Sequence, residues 1–124
     1  MSLQYTIEIE DSVVRVHTEG VFNFLQAYEM WEKIAATCAQ HDCYKVLGLS
    51  NLDEPLRDMD AYEHMGMLES VGITSKHRIA WVAMKPELLN NLRVAETVIR
   101  NRSTMIVKMF DNPKDAERWL RASG

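Results

Sequence analysis

Apolar and polar positions change places at every second residue near the start of the chain, in Tyr5-Thr6-Ile7-Glu8-Ile9 and again in Val14-Arg15-Val16-His17-Thr18, with Glu10-Asp11 between them. Period two sends alternate side chains to opposite faces of an extended chain, so the two runs predict a β-hairpin that ends at Gly20. The rhythm then lengthens. Leu25, Tyr28, Trp31, Ala35 and Cys38 recur at the spacing of one helix face, and Asn23 with Gln26 supplies a capping start. This helix is expected to run to about His41.

Tyr44-Lys45-Val46-Leu47-Gly48-Leu49 is a largely apolar run of strand length behind a helix, which is how a strand covered on both faces reads. Ser50 and Asn51, whose short polar side chains bond nearby backbone, are expected to end it. Asp60 with Glu63 forms a second capping-box-like start, and Met65, Leu68 and Val71 mark the stripe of a helix closed by Gly72. Arg78 to Met84 predicts another strand. Pro86 opens a third helix carrying Leu88, Leu89, Leu92, Ala95, Val98 and Ile99 on its apolar side. Met105 to Phe110 predicts the last strand, and Asn112-Pro113 opens a terminal helix that buries Ala116, Trp119 and Leu120.

The order is therefore ββαβαβαβα. Strands joined by single helices require right-handed crossovers, so strands two to five are expected to be parallel and strand one antiparallel at the edge. The fold class is α/β: a five-stranded mixed sheet packed with four helices. Ligands of such sheets meet the carboxyl ends of the strands, here near Glu19-Gly20, Ser50-Asn51, Met84-Lys85 and Phe110-Asp111.

Length and charge narrow the function classes. A chain of 124 residues fits one domain, 1–124, and its net charge of −4 gives no general pull toward nucleic acid or anionic lipid. Low-complexity tracts and internal repeats are absent from the sequence. No basic flank leads into an apolar run at the amino terminus and no window has a membrane-spanning length of apolar residues, so neither an export signal nor integral membrane association is expected. Cys38 and Cys43 then read as free thiols of a reducing compartment, and the expected location is cytoplasmic.

With the elements in this order, YTIEIEDSVVRVHTEG, the strand KVLGLS with its loop and helix, HRIAWVAM and the closing MIVKMFDNPKDAERWL together resemble the SpoIIAA-like group of the STAS superfamily, which includes anti-sigma-factor antagonists. The resemblance spans nearly the whole chain and implies a SpoIIAA-like fold and a regulatory or ligand-binding, non-enzymatic task. In the phosphoregulated antagonists an Asp-Ser-Ser/Thr-Gly segment puts a phosphorylated hydroxyl at the start of the second helix. This sequence has Leu56-Arg57-Asp58-Met59-Asp60 there, and no Ser or Thr lies between Asn51 and Glu69. The departure removes the phosphate acceptor.

The remaining chemistry-bearing residues form no catalytic constellation. Ser50 lacks the strained nucleophile elbow and a base at a recognisable spacing. Asp53, Glu54, Asp58, Asp60 and Glu63 lack the calcium-loop spacing, and Asp58 and Asp60 suit a helix start, where backbone N–H groups favour negative charge. Cys38, His41 and Cys43 make three ligands where a structural zinc needs four. Lys76-His77-Arg78 precedes a strand at the edge away from the ligand end. No cofactor or metal is expected.

The flexible thioethers of Met59, Met65 and Met67 beside Tyr62 suit an adaptable apolar surface. The expected ligand- or partner-binding set is therefore Ser50, Asn51, Asp58, Tyr62, Met65 and Met67, serving a protein partner or a small apolar ligand or lipid. An enzyme built on Ser50, Asn51 and His64 is the alternative reading. An exposed apolar helix would also suit a homodimer.

Overall fold

The hairpin turn is two residues long. Asp11 and Ser12 both take left-handed backbone, with φ of 54° and 63°, a turn geometry whose twist matches that of the strands it joins. β1 (Leu3–Glu10) thus folds back on β2 (Val13–Gly20) in antiparallel register from Glu10↔Val13 to Leu3↔Gly20. The computed structural model describes residues 2–55 and 60–122. Within them follow α1 (Phe24–His41), β3 (Lys45–Leu52), α2 (Asp60–Ser70), β4 (Arg78–Ala83), α3 (Pro86–Arg102), β5 (Ile106–Phe110) and α4 (Pro113–Ala122).

The strands form one sheet in chain order, β1-β2-β3-β4-β5, with β2 to β5 parallel. Each crossover moves one place in the same direction, so a single crossover hand puts the connecting helices on the same face. Residues of α1, α2 and α3 accordingly share one core with Val14, Val16, Val46, Ile79 and Trp81. α4 lies on the other face, where Ala116 and Leu120 pack on Leu47, Ala80, Val82 and Phe110. This is the expected five-stranded mixed sheet with four helices.

Side-chain bonds fix the helices to the sheet. Asn23 caps α1 by accepting from the Gln26 N–H at 3.0 Å, and Gln26 Oε1 accepts from the Leu3 N–H at 2.8 Å, joining the helix start to β1. Asn112 caps α4 through the Asp115 N–H. Gly20 closes β2 with φ 89°, and the Ser2 carbonyl fills the space a Cβ would need there.

One boundary differs from expectation. Ser50 and Asn51 do not end β3, which continues to Leu52 because neighbours on both sides hold it: Thr18↔Ser50, Glu19↔Asn51 and Gly20↔Leu52 on β2, and Ser50↔Ala83 on β4. Pairing on two sides outweighs the turn preference of these two side chains. No described helix is long and apolar enough to cross a membrane.

Candidate ligand-binding site

Gly48 leaves the inward face of β3 bare, and the indole of Trp81 lies in the space its side chain would have occupied. Trp31 of α1 leans on Trp81, with ring centroids 5.2 Å apart and planes tilted by 31°. The two indoles border an apolar cavity of about 70 Å³ between the sheet and the three helices. Ala27 and Met30 of α1, Leu68 of α2, Leu92, Ala95 and Ile99 of α3, and Met109 of β5 complete most of its wall.

Among the lining residues only Phe22, His64 and Val107 are more than slightly exposed. Phe22 comes from the β2–α1 connection and His64 from the early part of α2, and their rings meet at 4.9 Å. This aromatic pair stands where the sheet's carboxyl edge meets the helix layer. No Asp, Glu, Lys or Arg lines the cavity among the described residues.

Two hydroxyls interrupt the apolar wall. Thr18 and Ser50 are register partners on neighbouring strands, 5% and 2% exposed, and both line the cavity. Neither hydroxyl hydrogen-bonds to another described residue. The Ser50 carbonyl, by contrast, accepts from the Met84 N–H at 2.9 Å.

The expected site residues separate. The pleat sends Ser50 inward and Asn51 to the opposite face, where Asn51 borders a groove with Gln4, His17, Glu19 and Met84. His64 therefore shares a cavity with Ser50 and not with Asn51. Tyr62 is 54% exposed on the outside of α2, its ring 5.9 Å from the Arg102 guanidinium. Met65 is half-buried against the core and Met67 lies within it. Asp58 and Met59 fall outside the described residues, as does the side chain of Asp60.

Thr18 and Phe22 are among the cavity residues to which the sequence assigned no role, with Leu3, Ala27, Met30 and Leu52. A signal for Thr18 existed, since it continues the inward phase of Val14 and Val16. Phe22 lies between elements, where periodicity says nothing.

The cysteines serve the interior. Burial pushes the Cys38 thiol up to about 11, with nearby Cys43 adding to the shift, so Cys38 stays protonated and unreactive at neutral pH. Cys43 Sγ donates to the Ser12 carbonyl and steadies the hairpin turn. Among the described residues no cluster of three or more His, Cys, Asp or Glu is placed to hold a metal ion.

No protein-family profile matches the sequence, and no curated protein is similar to it at a significant level. Solved structures are similar. The crystal structure of an anti-sigma factor antagonist from Mycobacterium paratuberculosis superimposes with a TM-score of 0.65 at 12% identity, covering 96% of this chain and 94% of the other. The NMR structure of the protein TM1081 gives a TM-score of 0.63 at 18% identity, covering 93% of this chain and 86% of the other. At such identities the likeness speaks for architecture alone, but it runs almost from end to end of both chains. The protein thus has the SpoIIAA-like α/β fold that these structures share.

Proposed function

We propose that the protein is a non-enzymatic regulatory domain of the cytosol that takes a small apolar molecule into the cavity beneath α2. The cavity itself carries this reading: its wall is apolar, its polar groups are few, and the Phe22–His64 pair stands at its rim. Sites for small molecules have this composition, a hydrophobic lining with a small number of placed polar groups. Occupancy would act on α2, which contributes both His64 and Leu68 to the wall.

Xenon is a suitable probe, since dry apolar cavities take it up. Xenon titration followed by methyl NMR is expected to shift Ala27, Leu68 and Ile79. Ala27→Leu, which fills the space from α1, is expected to abolish those shifts while the spectrum stays dispersed. A wild-type protein whose cavity methyls do not respond to xenon would overturn the reading.

A protein partner on the outer side of α2 is the second reading. The exposure of Tyr62 favours it, and so does the likeness to an anti-sigma factor antagonist. In this reading Ser50–Gly66 is the contact stretch, and Asp58, Tyr62 and Met65 belong to it. The absence of Ser and Thr between Asn51 and Glu69 means that control there would not use serine or threonine phosphorylation. Affinity capture by the wild type but not by Tyr62→Ala is the expected result, and identical capture by both would remove Tyr62 from the surface.

A further inference from the structure

We infer that the cavity selects a short uncharged molecule bearing one neutral oxygen, a carbonyl or a hydroxyl on a hydrocarbon body, and that Thr18 and Ser50 hold that oxygen. The inference rests on the proposal above that the cavity binds apolar molecules, and it adds what kind.

The positions are specific. Along the inward faces of β2 and β3 the residues preceding them are Val14, Val16, Val46 and Gly48, all apolar. At one level of the sheet, on two neighbouring strands, that pattern changes to a pair of hydroxyls. Both residues are more than nine-tenths buried, and both border the cavity. In an otherwise apolar wall, Val at 18 or Ala at 50 would fill nearly the same volume and pack as well, so the hydroxyls gain only from what they bond inside the cavity they border. Backbone pairing does not need them, since β2 and β3 are in ladder register through these residues. What remains for the two hydroxyls is something inside the cavity.

Their chemistry sets the oxygen. Each hydroxyl offers one donor and two lone pairs, so a neighbouring pair can donate twice to a carbonyl or exchange bonds with an alcohol. A carboxylate or ammonium would enter an apolar space in which no described side chain supplies a compensating charge, and desolvation would drive it neutral or out. The volume sets the size. At about 70 Å³, the cavity has about half of the roughly 150 Å³ of an engineered cavity that accepts benzene, so the body is a few carbon atoms.

The test compares 2-butanone with xenon on the wild type, the double variant Thr18→Val/Ser50→Ala, and Thr18→Ser. Xenon measures the apolar space alone, and the ketone adds the oxygen. Both are expected to shift the cavity methyls of the wild type. In the double variant ketone affinity is expected to fall about tenfold or more, as two hydrogen bonds of ordinary net strength imply, with the xenon response intact. Thr18→Ser keeps its hydroxyl and is expected to keep ketone binding. If xenon binds but the ketone does not, or binds equally to wild type and double variant, the hydroxyl assignment is overturned and apolar binding stands. If neither probe binds the wild type, apolar binding falls and this inference with it.

Discussion

The indole of Trp81 on β4 covers the α-carbon of Gly48 on β3, its register partner, so closely that no side chain fits between them. One residue's lack of a Cβ thereby decides where the largest side chain of the inward face lies, and with it the cavity border. Gly48→Ala is expected to destabilise the protein by roughly 1–3 kcal/mol through overpacking. Denaturant unfolding measures the loss, and a blue-edge change in tryptophan emission would report the displaced indole. An unchanged midpoint would mean that Trp81 has another rotamer available.

Glu96 is buried on α3 and does two things: Oε2 accepts from the Met109 N–H at 2.6 Å and Oε1 accepts from Arg100 at 3.1 Å. The first bond ties the edge strand β5 to the helix layer. Glu96→Ala is expected to cost roughly 1–3 kcal/mol, because a buried backbone donor loses its acceptor. Arg100→Ala should cost less than about 1 kcal/mol, since the guanidinium is 66% exposed and water screens its pairing. Equal losses in thermal unfolding would assign the stability to the ion pair instead.

The hairpin can be improved. Asp11 and Ser12 hold left-handed backbone that Asn and Gly adopt more readily. Asp11→Asn/Ser12→Gly is expected to raise stability by up to about 1 kcal/mol. A lower melting temperature would show that the turn depends on the Ser12 side chain rather than on its carbonyl, which Cys43 engages.

His77 should make stability pH-dependent. Burial holds its imidazole below the ordinary 6.5, and the Lys76 ammonium adds to the lowering. The Nδ1 lone pair accepts from the Thr74 N–H, and Tyr44 packs edge-on at 5.1 Å. The folded state therefore favours the neutral ring. Its contribution is fully present above the unfolded value near 6.5 and is lost as pH falls below it, while the unfolded chain gains the proton. Between about pH 7.5 and 5, stability is expected to fall more steeply in the wild type than in His77→Gln, whose amide oxygen can still accept from Thr74. Parallel profiles would exclude His77 as the titrating group.

Much of the architecture was written in periodicity. The switch from period two to helical spacing after Gly20 located the hairpin and α1, and apolar runs separated by single helices implied the parallel ladder. The end of β3 was not legible, because Ser50 and Asn51 have local turn preferences while the pairs that extend the strand come from residues far along the chain. The same pairs decide the site. Adjacent in sequence, Ser50 and Asn51 lie on opposite faces once the strand passes through them, and Ser50 joins Thr18, more than thirty residues earlier. Thioether flexibility marked Met65 and Met67 as adaptable surface, but packing sets them at different depths and brings His64 and Leu68 to the cavity.

The strand order β1-β2-β3-β4-β5 repeats the order of synthesis. Each new strand docks on an edge that the segment just before it has left open, and no strand has to be inserted between two already paired. Each parallel pairing therefore spans no more than one helix and its loops, so loop-closure entropy stays as low as a parallel ladder allows. The sheet can grow by accretion from the amino-terminal hairpin as the chain emerges, with β5 and its Glu96 bond completing the edge last.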